Sequence, residues 1–410
     1  MSDRPAEQAH RVTPLELFLD LVMVFAITQV TTFLSGHPTW GGLLRGVLLL
    51  GVLWWAWSAY AWLTNTLDPE EGGVRIAVFA AIAAMLVVSL AAPTAFGDDG
   101  VVFGVAYFVV RAIHLLLFAV ASRRDRDLWG AVVRTLPGTT LAPVLLIVAG
   151  VVHGTAQLAL WGAALAVLYL SPLKGGMRGF RVSPEHFVER FGLIMIIALG
   201  ESIVAIGVGA AGLPLDARLI AAALLGITVA ACLWWSYFDW LIYVGQATLA
   251  DATGAERAVL ARDAYSYLHL PMVAGIVLFA FGLKTSLPHL SRSLPTLPAL
   301  GLLGGIALYL LAHVALRLRF RGGLGRGRPI AAVVLLALLP MGRTVAALTA
   351  LALVSVVCVC LIAYEALWHR QERAWIRSHR DGFTRAEADA VQPPRRRRRR
   401  RNGAGGGPAP

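Results

Sequence analysis

Long apolar runs alternate with short polar segments along the whole chain. A run of about 20 apolar residues matches the hydrocarbon thickness of a bilayer, so each run predicts one membrane-spanning helix. Pro340, Gly342 and Arg343 crowd the junction between the last two runs. The pattern predicts an all-α, polytopic transmembrane helix bundle of about twelve spans, at 15–34, 42–63, 75–96, 101–121, 131–150, 152–171, 190–211, 217–242, 264–286, 298–317, 329–344 and 345–366.

Positive charges alternate between the segments that connect these spans. Lysines and arginines concentrate in every second connection, at 123–126, 174–181, 257–262 and 317–328. The connections at 35–41, 97–100, 150–151 and 212–218 nearly lack them, whereas Lys284 and Arg292 form a minor exception. Cytoplasmic connections carry the lysine and arginine excess, so both termini are predicted to be cytoplasmic and the number of spans even.

Two short sequences recur at nearly constant spacing. RVTP at 11–14 is echoed 170 residues later by RVSP at 181–184, and the tryptophan pair at 54–55 is echoed 180 residues later at 234–235. Repeats that are six spans apart keep one orientation, so the echoes predict a parallel 6+6 internal repeat. The predicted organisation is a cytoplasmic N-terminal segment (1–14), a first membrane repeat (15–171), a cytoplasmic loop (172–187), a second repeat (188–366) and a basic, largely disordered cytoplasmic tail (367–410).

The echoed segments also contain signals for the start of a helix. Thr13 is suited to cap the first span, with Pro14 at the first helical position and Glu16 completing a capping box. Ser183 and Pro184 repeat the cap and the proline before the seventh span. Helices are predicted to begin at both places.

Composition agrees with a membrane protein and excludes several other classes. The 410 residues are 58% hydrophobic and 15% charged, against about 25% charged in soluble domains. Cys232, Cys358 and Cys360 all lie inside apolar runs, so no disulfide framework or zinc site is predicted. The polar N-terminus lacks the apolar core and cleavage site of a signal peptide, so the first span is predicted to act as the insertion signal.

Glu201 lies near the middle of the apolar run at 191–211. A mid-membrane carboxylate is costly unless it is paired, protonated or wetted, and for this reason it usually marks a functional pathway. Small residues recur on the flank of the same run and allow a neighbouring helix to approach closely. Glu201 is therefore predicted to face protein. The alternative is a protonated glutamate that only joins two helices.

Other polar residues also fall inside the predicted spans. The guanidinium of Arg111 stays charged and needs a carboxylate or water; Glu201 matches it in depth, with Asp20 as the second choice. We predict that these three side chains converge on one polar pocket between the halves. The alternative for Asp20 is a salt bridge to an arginine at a helix end. The alternative for the histidines is a hydrogen-bonded contact between helices. The predicted ion or solute pathway comprises Asp20, Arg111, His114, Glu201, Asp239, His269 and His313.

Tryptophans cluster at 53–62 and again at 233–240. Aromatic side chains in membrane helices more often serve as interfacial anchors. These clusters extend too deep for every ring to belong to the interface, so an aromatic-lined cavity is the alternative.

The tail ends in an unbroken arginine run at 395–401. Such a run is typical of disorder, and anionic lipid attracts basic segments beside a membrane. Membrane lipid is therefore the predicted partner of the tail, an unknown small ion or solute that of the bundle, and nucleic acid is not expected.

Several of these segments resemble the bacterial low temperature requirement A (LtrA) family. The resemblance is carried by RVTPLELFLDLVMVFAITQVT at 11–31, ERFGLIMIIALGESIVAIGVGA at 189–210, YLHLPMVAGIVLFAFGLK at 267–284 and YEALWHRQERAWIR at 364–377. It covers almost the whole chain, except for the first ten residues and the tail beyond about Arg380. It implies a multipass protein of the bacterial cytoplasmic membrane, linked by name to growth in the cold, and it supplies no catalytic residue. Leu19 and Met23 depart from the expected motif without affecting Asp20.

Three functions are compatible with these observations. A passive or ion-coupled transporter or channel explains the buried charges and the predicted repeat. A non-transporting scaffold or cold-adaptation protein fits if those charges form closed pairs. An intramembrane enzyme would need a nucleophile or metal set, and the sequence contains no His-Glu-x-x-His, Gly-x-Ser-x-Gly or Walker A motif. We therefore predict that the chain is not an enzyme and has no cofactor or metal.

Overall fold

The computed structural model describes residues 12–320 and 323–368, together with Trp375 and Glu387. Most of these residues are helical, and within them no strand forms beyond one isolated bridge between Ser293 and Ala346. The first eleven residues, most of the predicted tail and its arginine run lie outside the described residues.

Most of the predicted spans correspond to one helix each. In the described ranges, eleven helices are long and apolar enough to cross a membrane. They are α1 (Pro14–Gly36), α2 (Trp40–Thr64), α3 (Gly72–Thr94), α4 (Gly100–Arg124), α5 (Arg126–Ala149), α6 (Gly154–Gly175), α7 (Pro184–Ala210), α8 (Ala217–Asp251), α9 (Gly254–His289), α10 (Thr296–Arg319) and, after the shorter α11 (Gly327–Ala337), α12 (Ala347–Trp368).

The predicted span at 329–344 is wrong as a continuous helix. The segment divides into α11 and a single turn, Leu339–Gly342. At 1.5 Å per residue α11 is about 17 Å long, too short to cross a hydrocarbon core of about 30 Å. Pro340 accounts for the break because proline cannot donate a backbone hydrogen bond within a helix.

The broken segment nevertheless runs between opposite ends of its neighbours. Gly327 lies against Leu361 and Tyr364, near the end of α12. Gly342 lies against Leu303, near the start of α10. The chain therefore traverses the length of α10 between residues 327 and 342, as a discontinuous helix does in many transporters.

Both helices begin where the capping signals predict, but only the first of the two predicted caps forms. Thr13 and Glu16 form the complete capping box at the start of α1. At the start of α7, Pro184 occupies the first helical position, but Ser183 makes no side-chain cap.

Three helices depart from regular α-helical geometry. α8, α9 and α10 each contain a π-helical segment, at Tyr237–Leu241, Arg262–Tyr267 and Leu300–Gly304.

Helix neighbours follow the same order in the two parts of the chain. In the first six helices α1 packs on α2 and α3, α3 on α4, α4 on α5, α5 on α6, and α6 on α2. In the last six, α7 packs on α8 and α9, α9 on α10, α10 on α11, α11 on α12, and α12 on α8. The two parts meet where α1 and α2 pack on α7 and α9.

Glycines bring the backbones of α9 and α10 into direct contact. A methyl group on Gly275 would lie 2.5 Å from the carbonyl oxygen of Gly305, and a methyl on Gly305 would lie 2.6 Å from that of Gly275. Backbone atoms cannot rotate out of the way as a side chain can. Small residues thus set the distance between these helices, as is usual for membrane helix pairs.

Replacement of Gly275 by alanine should therefore destabilise the protein. Overpacking costs about 1–3 kcal/mol, so we expect Gly275→Ala to lower the unfolding temperature in detergent. Gly207→Ala is the matched control, because a methyl group there meets nothing within 4 Å. Equal unfolding temperatures for the two variants would contradict the close backbone contact.

Candidate functional site

A buried cluster of charged groups joins the first turns of α1 and α7. Arg190 Nη1 donates to Asp20 Oδ2 at 2.7 Å, and Arg190 Nε lies 3.5 Å from Glu16 Oε1. His186 Nε2 lies 3.1 Å from the same Glu16 oxygen. Trp57 Nε1 donates to the second oxygen of Asp20 at 2.8 Å. The carboxylates of this cluster are thus matched by an arginine, a histidine and an indole.

Two of the three ion pairs of this cluster join residues that are 170 positions apart. Asp20 contacts Arg190, and Glu16 contacts His186. All four side chains are at most 1% exposed. Asp20 therefore forms a salt bridge to an arginine near a helix start, which was the predicted alternative to a pathway role. It does not pair with Arg111.

Glu201 lies further along the same contact between α1 and α7. Its side chain is 2% exposed, and Oε2 accepts a hydrogen bond of 2.6 Å from the Thr28 hydroxyl. The Thr31 hydroxyl and the positive charge of Lys284 also stabilise this carboxylate. The hydroxyl of the neighbouring Ser202 is buried and has no hydrogen-bond partner within the described ranges. Glu201 is thus set among hydroxyl groups, unlike Asp20 with its close guanidinium.

An apolar layer separates the charged cluster from Glu201. Thr28 follows Asp20 by eight residues, or about 12 Å along the helix axis. On the facing sides of α1 and α7, six apolar side chains in this interval are completely or almost completely buried: Met23, Ala26, Ile27, Ile194, Met195 and Ala198. Lys284 Nζ reaches Thr32 at 3.4 Å one turn beyond Thr28. Polar groups therefore lie on both sides of a closed apolar layer.

Arg111 lies elsewhere, so the predicted pocket of three charges is wrong. Its Nη2 donates to Thr139 at 3.3 Å, while Nε and Nη1 have no hydrogen-bond partner among the described residues. Arg111 lines a cavity of about 90 Å³, with α2, α4, α5, α6 and the π-helical segment of α9 around it. Matching in depth did not bring it near Glu201, because helix packing places the two residues on different interfaces.

His114 lines the same cavity as Arg111. Its Nε2 lies 3.2 Å from the carbonyl oxygen of Ala59, and its Nδ1 has no partner in the described part of the chain. A nitrogen that faces a carbonyl carries the ring proton, so Nδ1 is left as an acceptor. Two predicted pathway residues, Arg111 and His114, thus meet in one cavity.

The other two histidines are held by helix contacts. His269 Nδ1 lies 2.8 Å from the Ala264 carbonyl oxygen, and its Nε2 lies 2.9 Å from the Tyr237 hydroxyl. His313 Nδ1 lies 2.5 Å from Nη1 of Arg328. Both rings therefore have the hydrogen-bonded role that was the alternative to a pathway role.

Asp239 lies in a third location. It lines a wide groove between α7 and α8 together with Glu185, Glu189, Trp234 and Trp235. Trp234 and Trp235 are 46% and 42% exposed. Asp239 is therefore not brought together with the other predicted pathway residues.

The first tryptophan cluster is internal. Trp54 donates to the carbonyl oxygen of Ser266 and Trp62 to its hydroxyl, each across to the π-helical segment of α9. Trp55 and Trp62 also line the Arg111 cavity. An aromatic-lined cavity is thus present in the first part of the chain, whereas the second cluster borders the open groove.

Four residues of these networks were not predicted as site residues. His186, Arg190, Arg328 and Glu365 all belong to buried polar clusters. His186 and Arg190 could have been found by adding the repeat spacing of 170 to Glu16 and Asp20. Arg328 was counted among the basic residues of a connection, and its burial gives no sequence signal.

The chain is similar to known proteins over most of its length. The family described as "Bacterial low temperature requirement A protein (LtrA)" matches residues 11–363. The chain is 32% identical over 308 residues to "Uncharacterized protein RA0937" of Rhizobium meliloti (strain 1021), which covers 72% of this chain and 74% of that protein. No solved structure matches the chain.

Proposed function

Because the chain belongs to the bacterial low temperature requirement A (LtrA) family, we propose a function for a multipass membrane protein of that family: the passive or ion-coupled transport of a small ion or solute. The path runs along the contact between α1 and α7. Glu201 is its ion-binding carboxylate, with a proton as the first candidate ion.

The environment of Glu201 carries this proposal. The carboxylate is buried in a membrane-spanning helix, yet its nearest partner is the Thr28 hydroxyl. An ionised carboxylate that only stabilises a helix contact is expected to have a cation in direct contact, as Asp20 does. A hydroxyl group can donate a hydrogen bond to an ionised carboxylate and accept one from its protonated form, so it leaves the carboxylate able to gain and lose a proton. Glu201 is therefore suited to load and release an ion.

The apolar layer between Asp20 and Thr28 supports a closed conformation of such a path. Transport requires that the polar groups on either side of the layer reach water in turn. The contact between α1 and α7 lies where the two parts of the chain meet, so a small rotation of one part could open the layer. The layer is the gate in this proposal.

We also propose the parallel 6+6 repeat in the cytoplasmic membrane. The matching helix neighbours and the ion pairs at a spacing of 170 support it. With both termini cytoplasmic, a reporter that works only outside the cell should be active when inserted at 97–100 and inactive when fused after Arg380. Activity after Arg380 would contradict the orientation and the even number of crossings.

Flux through proteoliposomes tests the transport proposal. Purified protein is reconstituted with an entrapped pH-sensitive dye, and proton entry is followed after an imposed pH gradient, with and without a panel of small solutes outside. We expect faster pH equilibration than in protein-free liposomes. A folded, correctly reconstituted protein that changes neither proton nor solute flux would refute transport.

The scaffold alternative has its own support in the structure. Glu16, Asp20, His186 and Arg190 form a closed network, and Arg328 with Glu365 forms another. Such networks fix helix contacts and need no transport. A protein inert in the flux assay would therefore be assigned a structural role in the membrane, linked to cold or stress adaptation.

A further inference from the structure

The Arg111 cavity has the chemistry of an anion-binding site. Arg111 is 3% exposed, and two of its nitrogens lack partners among the described residues. A buried guanidinium with unused donors is costly in a membrane. The side chains that line the cavity contain neither aspartate nor glutamate, and their second arginine, Arg262, is already paired with Asp263 at 2.7 Å. The missing negative charge is therefore not supplied by the cavity wall.

The second part of the chain shows how a similar guanidinium is satisfied. Arg328 Nε donates to Glu365 Oε1 at 2.8 Å and Nη2 to Oε2 at 3.2 Å, a bidentate contact. Nη1 lies beside His313. Planar two-oxygen groups are the partners that fit the fork of a guanidinium. In this location the protein provides the carboxylate itself.

The two locations occupy corresponding places in the bundle. Tyr107 of α4 donates to the Val52 carbonyl oxygen in α2 at 3.4 Å, and Tyr309 of α10 donates to that of Leu233 in α8 at 2.9 Å. Four residues after each tyrosine come Arg111 and His313, respectively. Both locations therefore hold an arginine and a histidine beside the equivalent helices α4 and α10. Arg111 lies on α4 itself, whereas Arg328 reaches His313 from α11, and only the second location has a glutamate.

The geometry points to a small organic carboxylate as the ligand of the Arg111 cavity; we propose that its carboxylate takes the place that Glu365 takes beside Arg328. Arg111 donates to the carboxylate oxygens. The Nδ1 acceptor of His114 can take a hydrogen bond from a hydroxyl or amide on the ligand. Trp55 and Trp62 form part of an apolar wall for the body of the ligand.

The size of the cavity restricts the ligand to a small carboxylate group. Its volume is about 90 Å³, below the range of about 300–1,000 Å³ that is typical of sites for drug-sized ligands. Pro172, Met177 and Phe180 line it as well, so it extends from the middle of α4 towards the end of the bundle where α6 ends. A water-soluble carboxylate or a fatty acid from the membrane could supply the same headgroup.

Binding can be measured without transport. Purified full-length protein in detergent is titrated with formate, acetate and oleate, and with acetamide, chloride and phosphate, while the unfolding temperature and the heat of binding are recorded. We expect a saturable rise in unfolding temperature with carboxylates and none with acetamide. Formate or acetate binding indicates a soluble ligand, and oleate binding alone indicates a lipid-derived one whose carboxylate enters the cavity. Equal effects of acetamide and acetate, or of inorganic anions alone, would overturn the proposal.

Arg111→Met separates a ligand-binding role from a structural one. Without ligand, its unfolding temperature should equal or exceed that of the wild type, since the substitution removes an incompletely bonded buried charge. The carboxylate-induced rise should disappear. A lower unfolding temperature of Arg111→Met without ligand would show that Arg111 is structural and would overturn the proposal.

Thr135→Phe provides a second, independent variant. The Thr135 hydroxyl bonds only to carbonyl groups of its own helix and lines the cavity, so phenylalanine fills the space and leaves Arg111 unchanged. Carboxylate binding should be lost here too; binding at wild-type affinity would place the ligand elsewhere. That this carboxylate is also the transported solute rests on the proposed function. Binding without flux would refute transport alone, and proton flux without carboxylate binding would refute the ligand alone.

Discussion

Glu201→Gln should abolish pH-gradient-driven proton flux in proteoliposomes, down to the level of protein-free liposomes, while the protein remains folded. Glutamine has the shape of glutamate and can still accept the hydrogen bond from Thr28. It cannot take up or release a proton, so every step that loads an ion on this residue is lost. The same unfolding temperature and elution volume as the wild type would show that only ionisation was removed.

Glu185→Gln is the matched control for this variant. It makes the same chemical change in the same helix, at an exposed position in the first turn of α7. Its flux should equal that of the wild type. If Glu201→Gln and Glu185→Gln both transport at the wild-type rate, Glu201 is not on the path. If both are inactive, the loss cannot be assigned to Glu201.

The positions of the helices could be predicted because each bilayer crossing requires a continuous apolar run. The predicted ends were less accurate where polar turns extend a helix beyond its apolar run. α8 continues to Asp251 and α9 begins at Gly254, both in polar sequence that the length criterion does not count. The break at Pro340 was visible as a crowded junction, but the sequence did not indicate how much of the segment stays helical.

The predicted polar pocket failed for a physical reason. Residue depth follows from position along a helix, whereas the partner of a side chain depends on the rotation of that helix and on which helices are neighbours. Arg111 and Glu201 match in depth, but the rotation and neighbours of their helices do not bring them together. The repeat spacing was the better guide, since Asp20 and Arg190 lie 170 residues apart and contact each other across the α1–α7 interface.

Arg328 and Glu365 illustrate a different limit. Arg328 follows four other arginines in a segment that was interpreted as a cytoplasmic connection. Its side chain instead turns into the bundle, where it meets Glu365. A basic residue at a helix end can reach water or turn inwards, and both have the same sequence pattern. Only the packed structure distinguishes them.

Arg190→Met should be among the most destabilising single substitutions in the chain. Removing one partner of a buried ion pair costs about 3–5 kcal/mol, because the remaining charge stays buried without compensation. Here two carboxylates are affected: Asp20 keeps only the Trp57 indole, and Glu16 keeps His186. Asp20→Asn should cost less, since Arg190 still has Glu16 at 3.5 Å. Chemical or thermal unfolding in detergent measures the order.

The double variant Asp20→Leu with Arg190→Met decides whether the pair is only structural. Replacing both partners by apolar residues of similar volume is often neutral or stabilising, so the double variant should recover most of the stability that Arg190→Met loses. Glu189→Gln, an exposed carboxylate one residue before Arg190, should stay close to the wild type. A double variant as unstable as Arg190→Met would contradict a self-contained ion pair and would indicate that Glu16 or Trp57 needs the guanidinium directly. A double variant that is stable but leaks protons in liposomes would identify the pair as part of the barrier on the α1 and α7 path.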